Sequence, residues 1–307
     1  MSDIDVVKKT EIKNCPLCVS SDIHSVRRVK DYAVSGEEFT LYSCKNCQFV
    51  FTRDIPTPDS MGKYYHSDDY VSHTETKSGL INKLYHKVRK LTLRNKAALV
   101  RKYTGKMVGH HLDIGAGTGS FVHAMENSGW NSIGVEPDPA ARIKANELYL
   151  ASIYPMEELE NFSEGSYTAI TLWHVLEHVH DLHTMLSRVH HMLDEDARLF
   201  IAVPNHLSFD ARYYGDCWAA YDVPRHLYHF TPSTMRKILD LHGFDIIASK
   251  PMWFDSFYVS MLSEKYRKGN VVRAFGVALL SNIIALFNRK TCSSLIYIAK
   301  KKPRTGY

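Results

Sequence analysis

The run Leu112-Asp113-Ile114-Gly115-Ala116-Gly117-Thr118-Gly119-Ser120-Phe121 constrains this chain more than any other stretch. An apolar strand carries an acid, glycine then stands at every second position, and an amphipathic helix follows. A backbone that turns this sharply and still leaves room for a ligand needs residues without a side chain. Further along, the short strand Ser132-Ile133-Gly134-Val135 ends in Glu136. An acid at that distance from a glycine loop suits the paired hydroxyls of a ribose. The pattern predicts a strand–loop–helix unit that holds a nucleoside-type cofactor.

Which nucleoside is decided by what the motif lacks. A dinucleotide loop has a third glycine where this chain has Ser120. Asp113 is also a poor neighbour for a pyrophosphate, whereas it suits an ammonium. S-adenosylmethionine (SAM) has an ammonium, a carboxylate and a ribose, and no phosphate. The cofactor set read from the residues is Asp113, Gly115, Ala116, Gly117, Gly119, Glu136 and Pro137.

Two further motifs come from cysteine. Cys15-Pro-Leu-Cys18 and Cys44-Lys-Asn-Cys47 are matched knuckles, while Cys217 and Cys292 stand alone. Without a secretory leader the four are not disulfide partners. Two such knuckles place four thiolates around one zinc ion and leave no open position, so the expected site is structural. Phe39-Thr40-Leu41-Tyr42 before the second knuckle reads as a strand, and the whole as a zinc ribbon.

Composition sets the remaining bounds. The 307 residues suffice for one large core and a small appended domain. Apolar content of 45% and charged content of 23% are those of an ordinary globular chain. A net charge of +5 does not by itself indicate nucleic acid. Met1 to Thr10 has no apolar core, so no signal peptide is read and a cytoplasmic protein is expected. The most apolar segment, Val271 to Phe287, is short for a membrane span and contains Arg273, Ser281 and Asn282. A core helix or a subunit contact is the simplest reading, with a membrane-surface helix as the alternative. Oligomeric state cannot be read.

Along the chain, residues 1–52 form the ribbon and 53–108 a linker and helical segment. The remainder, 109–307, forms the main domain. Two prolines mark 53–59 as linker, and Tyr64 to Tyr70 is an aromatic and polar cluster. The pattern from Leu80 to Tyr103 predicts one long basic helix or two short ones, its Lys and Arg residues on a solvated face. Strands are predicted at 109–114, 131–136, 150–153, 167–173 and 197–203, with helices at 119–128, 138–148 and 181–193. This alternation predicts an α/β fold with a parallel sheet covered on both faces. Asp138 and Asp181 are set to open helices, and Thr231-Pro232 to start another that Gly243 ends. Strands follow near 244–250 and 294–299. The stretch 204–231 is too long for an idle connection and reads as a substrate lid.

Taken together, Leu112–Phe121, Gly134-Val-Glu-Pro-Asp138, Leu172-Trp-His-Val-Leu-Glu-His-Val-His-Asp181, Val203-Pro-Asn205 and Pro224-Arg-His-Leu-Tyr-His-Phe-Thr-Pro232 resemble the class I SAM-dependent methyltransferases. The resemblance is to the branch with an N-terminal zinc ribbon, often linked to sugar or surface-glycan modification, and it covers nearly the whole chain. It implies a Rossmann-like, seven-stranded sheet with a final antiparallel hairpin. It also implies that the loop holds the methionine part of SAM, Glu136 the ribose and Met156 the adenine side. Trp173 and His174 would face the sulfonium and the acceptor.

Methyl transfer from a sulfonium needs alignment and exclusion of water more than acid–base help. A hydroxyl or an acidic carbon as acceptor also needs a base, and histidine titrates in the right range. The candidates are His174, then His178, His226 and His229, with Tyr221 and Arg225 beside the last two. Arg225 is suited to a phosphate or carboxylate on the acceptor. The favoured function is methyl transfer to a small molecule, a sugar or nucleotide-sugar in glycan biosynthesis. An RNA methyltransferase is the alternative, drawing on basic residues at Arg27-Arg28, Lys87 to Arg94 and Lys300 to Arg304. Against it, aromatics and basics are not interleaved in the ribbon. A non-catalytic SAM-binding or zinc-ribbon scaffold is the third reading.

Overall fold

The computed structural model describes residues 7–65 and 80–303, so part of the predicted aromatic cluster, His66 to Tyr70, lies outside the described residues. The first segment carries five strands: β1 (Lys9–Glu11), β2 (Ile23–Lys30), β3 (Glu38–Cys44), β4 (Val50–Thr52) and β5 (Asp54–Pro56). The predicted linker is therefore partly strand. Its Asp54–Pro56 pairs antiparallel with Lys9–Glu11, and this seals the N-terminal segment against the ribbon's exit.

The two cysteine knuckles share one backbone turn. Cys15 N–H donates to Ser20 O and Val19 N–H to Cys15 O, and Cys44 N–H to Phe49 O and Gln48 N–H to Cys44 O. Val19 and Gln48, each just past its knuckle, adopt a positive φ of about 60°. One sequence pattern thus gives one strained turn twice, and the turns aim their sulfurs at each other.

The main domain is built on β6 (His110–Ile114), β7 (Asn131–Val135), β8 (Ile153–Tyr154), β9 (Tyr167–Trp173) and β10 (Leu193–Pro204). β11 (Tyr228–His229) belongs elsewhere, and β12 (Phe244–Pro251) and β13 (Ser294–Lys301) complete the sheet. The seven strands lie in the order β12-β13-β10-β9-β6-β7-β8, and only β13 runs antiparallel to its neighbours. β9 is buried along nearly its whole length, as a strand covered on both faces must be. The polar exceptions are paired. His111 lies between Ser132 Oγ at 2.7 Å and Thr171 Oγ1 at 3.0 Å, and burial pushes its pKa down to about 3, so it stays neutral.

The predicted helices form close to their expected limits, at Ser120–Glu126, Pro139–Tyr149, Leu182–Met192 and Pro232–Leu241. Their starts are fixed by side chains. Asp138 accepts from Ala140 N, Asp181 from Thr184 N, and Thr231 forms a capping box with Thr234. Leu80–Thr104 is one helix of 25 residues.

The largest departure concerns 204–231. This stretch is not an open lid. It contains the helix Phe209–Tyr214 and two short 3-10 turns, and β11 pairs with β4 as the fourth strand of the ribbon's own sheet. Thr52 fastens it further, taking Leu227 O by its N–H and His226 O by its hydroxyl, both at 2.9 Å. The segment is a buried strap joining ribbon and main domain.

Candidate functional site

Strand order reverses around β6, with β7 on one side and β9 on the other, and ligands in open α/β sheets bind at such a point beyond the carboxyl ends of the strands. The glycine loop is there. Gly115 and Ala116 donate their N–H groups to Val135 O at 2.8 and 3.0 Å, so the loop folds across the end of β7. Gly115 has a φ of +72°, and a β-carbon on it would fall 2.4 Å from Val175 Cγ2. Gly117 also has a positive φ, but a β-carbon there would meet nothing within 4 Å. The first glycine is required by packing, the second by conformation beside open space. Glu136 spans the loop, accepting from Gly117 N at 2.8 Å and Asp138 N at 3.0 Å, and burial raises its pKa. Pro137 follows it, and Met156 opens the turn Met156–Glu160 beyond β8.

Asp113 is buried at the end of β6, where the Thr171 hydroxyl donates to it. Desolvation lifts its pKa to about 7, against the pull of Thr171 and Lys96. Helical patterning puts Lys96 on a solvated face. Instead it turns into the cleft, its Nζ 4.2 Å from the centre of the Trp173 ring. Burial lowers the Lys96 pKa, while Asp255 and Asp113 oppose that shift. Arg89, from the same helix, donates to Ser120 at the start of the helix after the loop. Helical periodicity alone does not show which cations of a long basic helix point inward. Trp173 Nε1 is buried without a hydrogen-bond partner.

Beyond Trp173 the chain enters a cavity of about 420 Å³, with His174, His178, His226, Asp222 and Asp255 among its walls. His174 has a φ of +59°. Its Nδ1 lies 3.2 Å from Glu177 Oε1 and its Nε2 3.0 Å from Asp255 Oδ2. Although desolvation opposes it, the two carboxylates raise the His174 pKa to about 10. Both nitrogens therefore carry protons near neutrality. With both ring nitrogens turned to carboxylates, His174, the first expected base, has no lone pair directed at the cavity. Asp255, which opens the helix Asp255–Tyr266, was not anticipated: a lone acid there carries no motif.

His178 and His226 are arranged differently. His226 Nδ1 faces Ala220 O at 2.9 Å, and His178 Nδ1 faces Arg225 O and the Tyr65 hydroxyl, each at 3.1 Å. A ring that donates its Nδ1 proton to a carbonyl keeps its lone pair on Nε2. The two rings pack edge to face, 4.6 Å between centres. Glu177, His178 and His226 bring one polar atom each within 4.8 Å of the others, and Glu177 Oε2 is buried without a partner. Desolvation pushes the His178 pKa down to about 4, and the neighbouring His226 adds to the shift.

Three expected acceptor contacts do not reach this cavity. Arg225 is 1% exposed, and its guanidinium is consumed by Asp31, Asp222 and Tyr64 O. Tyr221 is buried between Trp218, His229 and Arg27, and His229 is buried against Thr52. Their sequence neighbourhood is right, but the strap turns these side chains toward the ribbon, while Ala219, Ala220, Asp222 and His226 line the cavity.

In the ribbon, Cys15 and Cys47 sulfurs lie 3.4 Å apart and those of Cys18 and Cys44 3.5 Å apart, with all four atoms within 4.8 Å. A tetrahedral zinc–thiolate centre needs sulfurs about 3.8 Å apart. All four cysteines are free of disulfides. The donor set and its spacing fit a structural zinc ion.

A reversed last strand, a glycine loop across the first crossover and an acid ending the second strand define a class I SAM-dependent methyltransferase. The family model described as a methyltransferase domain matches residues 83–249, more than half of the chain, and the protein belongs to that family. No curated protein matches the chain in sequence. Among solved structures, it is similar to a phosphoethanolamine N-methyltransferase 2 of Haemonchus contortus in complex with SAM. The identity is 16% and the TM-score 0.51, over 83% of this chain and 63% of that one. It is also similar to the magnesium protoporphyrin IX methyltransferase of Synechocystis PCC 6803 with bound SAH, at 16% identity and a TM-score of 0.50. That match covers 78% of this chain and 97% of the other. At such identities the likeness is one of fold.

Proposed function

We propose that the protein transfers the methyl group of SAM to a polar small molecule held in the cavity beyond Trp173, with a sugar or nucleotide-sugar as the favoured acceptor class. The observation that carries this reading is the junction at Trp173–His174. On one side lie Asp113 and the glycine loop, on the other a cavity walled by three histidines and two carboxylates.

SAM, when bound, supplies an electrophilic methyl group. The glycine loop with Ala116 leaves space at Gly117 for the methionine part, and Asp113 complements its ammonium. Glu136, followed by Pro137, takes the ribose hydroxyls in place of its contact to Gly117 N–H, and Met156 flanks the adenine. In the cavity, the His174 imidazolium, fixed by Asp255 and Glu177, presents positive charge to an acceptor oxygen. His226 holds its Nε2 lone pair toward the cavity and accepts the acceptor's proton, with His178 as the next choice. The Glu177 and Asp222 carboxylates stabilise the imidazolium that forms. Cys15, Cys18, Cys44 and Cys47 hold a structural zinc ion. It fixes the ribbon, and through β4 and β11 the strap that carries His226.

The test is incubation of the protein with methyl-labelled SAM and fractionated metabolites or RNA. Label in a sugar-containing metabolite fraction is expected. Label in RNA at a comparable rate would overturn the acceptor class, and no uptake of SAM would overturn the cofactor site.

A further inference from the structure

The helix Val271–Phe287 is packed inside out. Its buried positions are small: Ala274, Val277, Ala278, Ser281 and Ala285. Its large apolar side chains face outward, among them Val272 at 84% and Phe287 at 89% exposure, with Phe275, Leu279, Ile283 and Leu286 between them. A helix that covers the core of a water-soluble domain does the reverse. The helix thus gives small residues to the core, Val277 and Ala285 among them, and leaves its large ones outside.

The preceding helix, Asp255–Tyr266, repeats the inversion. It buries Ser256, Val259, Ser260 and Ser263, and exposes Met261, beside the exposed Phe254. The two helices pack through these small faces, with Ser256 Oγ 3.0 Å from Asn282 Oδ1 and the Phe257 and Phe275 rings 4.9 Å apart. Small residues stand four apart on each helix, Ser256 and Ser260 on one and Ala274 and Ala278 on the other, a spacing that lets two helices approach closely. The result is a contiguous outward apolar surface on one helical hairpin, of the kind that marks an interaction site.

The charges at its ends select the partner. Residues 254–291 contain six basic side chains against two acids; with Arg273 paired to Glu264 and Lys265 on the cavity wall, the excess lies with Arg267 and Lys268 at one end and Arg289 and Lys290 at the other. Both acids are engaged within the protein, Asp255 with His174 and Glu264 with Arg273. A symmetric contact with a second copy would bring one-signed patches together. An anionic surface complements them. No described helix is long and apolar enough to cross a membrane, so the hairpin must lie along the surface.

We infer that this hairpin docks the protein on the surface of an anionic lipid bilayer. Its inner face supplies Val259, Leu262 and Tyr266 to the wall of the acceptor cavity. Docking therefore brings the cavity to the level of the lipid headgroups. The docking itself does not depend on the acceptor reading.

The experiment is co-sedimentation of the full chain with phosphatidylcholine vesicles, with or without phosphatidylglycerol. Binding is expected to the anionic vesicles, to weaken as salt rises, and to fall by about tenfold or more in Val272→Asp/Phe287→Asp. Both positions are exposed, and unchanged SAM affinity of the variant shows that the fold and the cofactor site are intact. Recovery of the wild type in the supernatant with both vesicle types would overturn the inference. So would a stable dimer that the double variant dissociates while vesicle binding persists. Failure of the methyltransferase reading would appear separately, as absence of SAM binding by the same preparation.

Discussion

Arg225 Nη2 and Asp31 Oδ1 lie 2.8 Å apart, each residue 1% exposed, and this ion pair fastens the strap to the ribbon. Asp222 closes the same guanidinium from the strap side at 2.7 Å. The arginine holds Asp31 and Asp222 below the usual carboxylate range although burial acts the other way. It is a positioning residue, because the backbone it fixes leads directly into His226.

Replacing Arg225 by Leu leaves the buried Asp31 and the half-buried Asp222 without their cation. Breaking a buried pair from one side costs about 3–5 kcal/mol. Urea unfolding followed by fluorescence is expected to show a loss of that order. Asp31→Asn, which keeps a hydrogen-bond acceptor for the guanidinium, is expected to cost less. A loss below about 1 kcal/mol in Arg225→Leu, the range of exposed pairs, would refute the fastening role.

Metal analysis of freshly purified protein is expected to find one zinc per chain. Cys44→Ser is expected to lose it and to increase proteolysis of the ribbon, because binding and folding of such a site are coupled. Since β11 pairs with β4, cleavage is expected to spread to the strap, around residues 219–230. A variant without zinc whose strap stays as protected as in the wild type would separate the two elements.

Gly117→Arg is expected to abolish SAM binding, as the side chain would fill the space beside the loop. Glu136→Ala is expected to weaken SAM by about 2–4 kcal/mol in titration calorimetry, the cost of two charge-assisted bonds to ribose. Saturating SAM should then restore most of the turnover. Equal affinity of either variant and the wild type would refute the corresponding assignment.

His226→Asn is expected to lower turnover about a hundredfold or more at saturating SAM with little change in SAM affinity. The loss should shrink at high pH, where the acceptor ionises unaided. His174→Asn is expected to show a different signature, a raised Michaelis constant for the acceptor with no rescue at high pH. A His226 variant with full turnover and an unchanged pH profile would move the base to His178.

The two carboxylates on His174 also predict a dependence of stability on pH. Its pKa is about 10 in the folded chain against an ordinary value of 6.5, so its stabilising contribution is full below about 6.5 and declines as pH rises toward 10. Melting temperatures from pH 7 to pH 10 are expected to fall more for the wild type than for His174→Asn. The variant is expected to melt lower at pH 7, because Glu177 and Asp255 then lack their shared cation. Parallel curves would show that His174 is not held as an imidazolium.

Local sequence determined the elements and the motifs. The glycine run, the acid ending β7, the capping residues Asp138, Asp181 and Thr231, and the paired cysteine knuckles are each defined within a few residues. Turn geometry and helix capping are short-range chemistry, so their positions in the chain and in the fold agree. What tertiary structure alone decided is where side chains of the connecting segments point. Residues 219–230 carry several plausible ligands, but pairing of β11 with β4 sends Arg225, Tyr221 and His229 toward the ribbon and leaves His226 at the cavity. His174 resembles a free base until Asp255, 81 residues away, supplies the second carboxylate that keeps it protonated. Lys96 resembles a surface cation until its helix crosses the cleft. In each case the protonation state or availability of one group is set by a partner distant in sequence, and only the folded chain brings the two together.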